Sequence, residues 1–190
     1  MALPPDLQRF LDQYDAADRE LSSLLEGLPE TLAEWRAAPH TWSVAQCIQH
    51  LGITNRAYLA AMSLPLSEAR QKRKLRRGAA RPGPFGGFFA WNVEPPVRRV
   101  RIKAPDNIIP APQVHLANAL QTFHGAQDQI RAFISENADL DLTRILFPNP
   151  FFRGLRFGLA SALQIMASHE RRHLWQAWNI RREAEQASIV

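Results

Sequence analysis

The sequence holds a single cysteine, Cys47, among 190 residues. One thiol closes no internal disulfide and builds no zinc site from several thiolates, so any metal must be held mainly by histidine or carboxylate. Long apolar runs are missing as well. Nothing approaches the roughly 18–20 uninterrupted apolar residues of a membrane span, and the opening Met1-Ala-Leu-Pro-Pro-Asp6 lacks the basic segment and apolar stretch of a signal peptide. Both absences lead to the expectation of a cytoplasmic protein with no membrane partner. No repeat of about 20–50 residues is visible, which removes solenoids and propellers. Strand-like alternation is weak everywhere, and residues 97–103, Val-Arg-Arg-Val-Arg-Ile-Lys, form its only candidate.

What is present is ordinary globular material. Apolar residues at 46% and charged residues at 22% exclude wholesale disorder, and the length suits one domain over residues 1–190. The net charge of +5 permits a phosphate-rich partner. Much of that excess sits in one run, residues 70–77, Arg-Gln-Lys-Arg-Lys-Leu-Arg-Arg, which reads more simply as a solvated helix end or loop. Nucleic acid is therefore the disfavoured partner.

Apolar residues recur at helical spacing. Leu7, Phe10, Leu11, Tyr14, Ala17, Leu21, Leu24, Leu25 and Leu28 follow the i, i+3, i+4, i+7 pattern between Pro5 and Pro29, which predicts a first helix. Ser43 and Gln46 have the spacing of a capping box and predict the start of a second helix, with Val44, Cys47, Ile48, Leu51, Tyr58, Leu59 and Met62 inward. Over residues 78–112, prolines 82, 84, 95, 96, 105, 110 and 112 alternate with Gly83, Gly86 and Gly87, so a mostly irregular crossover is expected. A connection that long is either a plain crossover or a functional cover. A third helix follows Pro112, with Leu116, Leu120, Phe123, Gln127, Ile130, Phe133 and Ile134 on one face. Residues 147–150, Phe-Pro-Asn-Pro, read as irregular. A last helix over about 155–187 carries Leu159, Ala162, Leu163, Met166, His169, His173, Ala177 and Ile180 on one stripe. Four amphipathic helices bury their stripes most simply as an all-α four-helix bundle, and the long second link suggests that helices two and three run parallel.

The chemistry lies in Ser168-His169-Glu170-Arg171-Arg172-His173. Histidines at i and i+4 are about 40° and roughly 6 Å apart on a helix, so both imidazoles can meet one ion. On an apolar stripe each must find a hydrogen-bond partner or a metal to offset its lost hydration. Among His40, His50, His115 and His124, His50 is the choice for a third ligand, because it lies at the edge of the inward face of the second helix. His124, beside Phe123, is the reserve. Three imidazoles without thiolate suit zinc, nickel or ferrous iron, and an incomplete shell leaves room for water or substrate. The same residues match the HExxH pattern of zinc proteases, with Glu170 as general base. Two arginines after Glu170, no downstream ligand pattern and no neighbouring sheet weigh against that reading.

Trp42-Ser43-Val44-Ala45-Gln46, followed by His50-Leu51 and by a final helix carrying His169, Glu170, His173 and Gln176, resembles the DinB-like (YfiT-like) family of metal-binding bundles, which is unrelated to the DNA polymerase of similar name. The resemblance implies up-down-down-up topology and a divalent ion held by His50, His169 and His173. Characterised relatives include bacillithiol- or mycothiol-dependent transferases and a maleylpyruvate isomerase. It thus implies a small-molecule substrate, a low-molecular-weight thiol as partner, and transferase or hydrolase chemistry. The clustered Phe85, Phe88, Phe89 and Trp91 either cover the site as an apolar pocket or pin the crossover to the bundle. Competing readings are a nucleic-acid-binding or stress-response interaction protein, and a bundle whose metal only staples helices. An exposed helix face also allows a homodimer.

Overall fold

The computed structural model describes residues 2–96 and 105–189. The strand candidate at 97–103 lies outside the described residues. The chain is mostly helical, in keeping with the all-α expectation. Helix α1 spans Pro5–Leu25, and Pro5 opens it because the first turn has no use for the missing N–H. A single turn, α2 (Glu30–Ala33), leads to α3 (Val44–Gln71). The capping box that the sequence signals is formed: Gln46 N donates to Ser43 Oγ at 3.1 Å and Ser43 N donates to Gln46 Oε1 at 2.9 Å. Gln46 Nε2 reaches on to Ala111 O at 2.7 Å, so the cap of α3 also anchors the segment that enters α5 (Leu116–Glu136).

The Pro/Gly-rich crossover is less irregular than expected. Pro84 occupies the first turn of a ten-residue helix, α4 (Pro84–Val93), where proline is tolerated, so the breakers bound an element instead of excluding it. Helix α4 packs on α6 (Leu159–Ala187) through Gly86, where a Cβ would fall 2.3 Å from Ser161 Cβ. The glycine is thus a close-approach residue. Residues 147–150 also depart from expectation: Leu146–Pro148 (β1) pairs antiparallel with Arg156–Gly158 (β2), a short hairpin that delivers the chain into α6. That helix therefore starts at Leu159, after the predicted 155.

Contacts of α3 with α5 and the residues flanking it ascend together, from Gln46 with Ala111 ahead of α5 through Gly52 with Thr122 to Arg70 with Asn137 at its end. The two run parallel. Helices α1 and α6 also run parallel, from Tyr14 Oη donating to Leu163 O at 2.8 Å to Arg181 Nη1 donating to Leu24 O at 2.7 Å. Where α3 meets α5, a Cβ on Gly52 would lie 2.7 Å from the Thr122 carbonyl carbon and oxygen. Backbone cannot yield as a flexible side chain can, so Gly52→Ala is expected to cost about 1–3 kcal/mol by overpacking. Chemical denaturation at fixed pH checks this.

The basic run at 70–77 is partly committed to the fold. Arg70 donates to Glu136 O and Asn137 Oδ1, Lys72 pairs with Glu68, and Arg76 pairs at 2.5 Å with the buried Asp6. Burial pushes the Asp6 carboxyl up, but Arg76 and the Ala80 N–H outweigh it and hold the group below its ordinary value.

Candidate metal centre

His50 lies in the second turn of α3 and is 1% exposed. Its Nδ1 is 2.7 Å from Ile108 O. A carbonyl only accepts, so Nδ1 carries the proton and Nε2 presents its lone pair. That lone pair faces His169 Nε2 at 3.3 Å. His173, one turn further along α6, completes the group, with ring centroids 4.4 Å from His169 and 4.5 Å from His50. Candidate ligand atoms of the three residues all lie within 4.8 Å of one another. The Trp42 ring packs against both His50 and His173 and closes one side of the cluster.

Burial disfavours the charged form of all three imidazoles. It pushes His50 down to about 4, against the opposing pull of the Ile108 carbonyl. Burial first, then the neighbouring histidines and Arg172, hold His169 and His173 well below the ordinary histidine value. The three rings are therefore neutral at pH 7 and available as ligands.

The cluster does not satisfy itself. The Nδ1 atoms of His169 and His173 are buried without a hydrogen-bond partner. If His169 carries its proton on Nε2 it can donate to His50, but a lone pair is then stranded at Nδ1. If the proton is on Nδ1, an N–H is stranded and two lone pairs confront each other across 3.3 Å. A cation between the Nε2 atoms relieves that confrontation. A tetrahedral ion with bonds of about 2.0–2.1 Å sets its ligand nitrogens about 3.3–3.4 Å apart. The residues present fit a divalent ion with nitrogen preference.

The remaining histidines stand apart. His40, His115 and His124 are exposed; His124 only sets its ring edge against Phe123. Glu30, Glu34 and His115 also converge, but at the surface, where Glu34 accepts the Leu116 N–H at the start of α5. Glu170 turns away from the cluster into the interior between α3 and α5. Its Oε1 accepts from Asn55 Nδ2 at 2.6 Å and its Oε2 from Gln127 Nε2 at 3.1 Å. Burial pushes its carboxyl up to about 8, against those two hydrogen bonds.

Above the histidines lies a pocket of about 100 Å³. Thr54 and Tyr58 of α3, Phe89 and Val93 of α4, Phe151 and Phe152 of the hairpin loop, and Ile165 and Arg172 of α6 line it. Of the four aromatics clustered in the crossover, only Phe89 reaches the pocket. Phe85 stacks on Phe157, and Phe88 and Trp91 stack on each other at the surface. Sequence reasoning missed Thr54 and Arg172 as pocket residues. The i+4 and i+8 spacing of Thr54 and Tyr58 from His50 was the available signal, since it places all three on one face of α3.

No curated protein and no solved structure matches the chain. The family model described as the DinB superfamily matches residues 13–177. Because that match runs from within α1 to well into α6 and takes in all or most of every long helix, the chain belongs to the DinB superfamily.

Proposed function

We propose that the protein is a divalent-metal-dependent enzyme acting on a small molecule, as a thiol-dependent transferase or a hydrolase, with His50, His169 and His173 as its metal ligands. The observation that carries this reading is the convergence of three neutral imidazoles at the floor of an apolar pocket, with two buried nitrogens left unpartnered. In this reading the long helices follow up-down-down-up order, supported by the parallel courses of α3 with α5 and α1 with α6. His50 comes from α3 and both other ligands from α6, so the pair of helices fixes the ring geometry.

A bound zinc, nickel or ferrous ion supplies a Lewis acid that draws the pKa of a coordinated thiol or water toward neutrality. The protein's own residues do the rest. The Ile108 carbonyl holds the His50 ring in the tautomer that offers Nε2, Trp42 packs against that ring, and Phe89, Phe151 and Phe152 give the pocket its apolar wall. Two observations disfavour the alternatives. A purely structural staple needs no pocket beside it, and the basic run that suggested nucleic acid is partly spent on Asp6, Glu68, Glu136 and Asn137. No described helix is long and apolar enough to cross a membrane.

The test is titration of low-molecular-weight thiols into cobalt-substituted protein. A thiolate-to-cobalt charge-transfer band that saturates with thiol is the expected result; its absence with every thiol tried removes the thiol-dependent reading. Phe89→Ala is expected to weaken retention of the bound thiol severalfold, whereas Phe88→Ala leaves it unchanged, because only Phe89 lines the pocket. Equal effects of both substitutions would show that the crossover aromatics act only by pinning α4.

A further inference from the structure

The pocket wall is mostly apolar, yet polar groups in it are unspent. Thr54 Oγ1 is buried, on a residue 2% exposed, and has no hydrogen-bond partner. A threonine in a helix interior commonly returns its hydroxyl to the backbone one turn earlier; this one does not. The Tyr58 hydroxyl accepts from Asn149 Nδ2 at 3.3 Å, and no acceptor for its own proton is found among the described residues. Arg172 contributes a guanidinium that makes no hydrogen bond and no ion pair among the described residues. Its neighbour Arg171 shows the contrast, being engaged by Glu94, Ser168 and Gln13. None of the described residues lining the pocket is acidic.

A cationic fork and a stranded hydroxyl beside apolar walls call for an anionic acceptor on an apolar body. One guanidinium with one or two neutral donors matches a planar monoanion, which a carboxylate satisfies bidentately. We propose that Arg172 pairs with a carboxylate of the ligand, that the Thr54 hydroxyl donates to an oxygen of the same molecule, and that the pocket therefore takes small carboxylic acids with an apolar body. Tyr58, about one turn further along α3 than Thr54, offers the next donor outward from the histidines. This assignment rests on the metal-centre reading for where the reacting group of the ligand goes, but the carboxylate contact itself belongs to Arg172 and does not require the ion.

The experiment compares phenylacetate with 2-phenylacetamide, which share a shape and differ in charge, by calorimetric titration into untagged zinc-loaded protein. The acid is expected to bind at least about tenfold more tightly, the scale of one charge-assisted hydrogen-bonded contact. Arg172→Gln should bring the ratio close to one without changing zinc stoichiometry. Thr54→Val, which keeps the shape, should weaken the acid severalfold with an unchanged melting curve. Equal binding of acid and amide by the wild-type protein overturns the proposal, as does failure of both probes to bind. So does a preference that survives Arg172→Gln, which would assign the carboxylate to the ion. The same titrations on metal-free protein separate the two readings. A protein that retains no zinc yet still prefers the acid, and loses that preference with Arg172→Gln, abandons the metal centre and keeps the carboxylate site.

Discussion

His173→Ala is expected to lower the affinity for a divalent ion by at least about a hundredfold, since removing a direct ligand exceeds the 10–100-fold that substitutions of supporting outer residues commonly cost. His50→Ala and His169→Ala are expected to do the same, and His124→Ala, at the surface, to do nothing. Chelator competition with untagged protein, read as metal per chain, measures all four. Retention of full affinity in any of the three cluster variants removes that residue from the ligand set. The metal-free protein carries a pH signature of its own. The folded pKa of His50, about 4, lies below its unfolded value of 6.5, so the unfolded chain binds more protons across that window. The stability due to this residue is present above pH 6.5 and lost as pH falls toward 4, by roughly 3 kcal/mol. His169 and His173 shift the same way and steepen the loss. A bound ion, which competes with the same protons, moves the transition to lower pH and is released through it.

Glu170 produces a slope of opposite sign. Its carboxyl is pushed up to about 8 from 4.5, so the folded chain holds its proton where the unfolded chain has lost it. Stability is greatest below pH 4.5, declines as pH rises through the window, and levels off above 8; the shift corresponds to roughly 4–5 kcal/mol. Glu170→Gln keeps the shape and cannot ionise, so its stability should stay nearly flat from pH 6 to 9 while the wild-type value falls. The carbonyl oxygens of Asn55 and Gln127 now lack partners, and a rotated amide at either position can accept from the new side-chain NH₂. Glu170→Ala instead leaves both amides without their carboxylate and a void between α3, α5 and α6, at a cost of about 2–5 kcal/mol. Urea denaturation across the pH range separates the variants. A wild-type curve that rises between pH 6 and 9 would mean that Glu170 is ionised in the fold and held by its two amides.

This placement of Glu170 explains why the HExxH pattern misleads. Adjacent residues on a helix point about 100° apart, so a glutamate following an inward histidine faces a different neighbour. Here that neighbour is the Asn55–Gln127 pair, which the sequence does not announce because its members lie on two other helices.

Features with a short-range periodic signal were legible. Helix α1, the Ser43–Gln46 box and the stripe carrying His169 and His173 all follow from spacing along one helix, and His50 followed from its place beside an inward face. Features settled by tertiary contact were not. Helix α4 sits among prolines and glycines, and it packs where Gly86 closes against Ser161, a contact between segments far apart in the chain. The β1–β2 hairpin has three residues per strand, too few to show alternation, and joins α6 through Leu159 N donating to Ile145 O. The orienting partner of His50 is a backbone carbonyl, that of Ile108, and a carbonyl carries no residue signature. Nothing in the sequence separates Arg172 from Arg171; only the fold shows that Arg171 is bound to Glu94 while Arg172 lines the pocket.

X-ray absorption at the zinc edge of untagged, zinc-loaded protein tests the three-imidazole centre most directly. The account predicts a first shell of nitrogen and oxygen near 2.0–2.1 Å with the multiple-scattering pattern of three imidazoles, falling to two in His173→Ala. A shell without imidazole scattering, or one containing sulfur from Cys47, would contradict it.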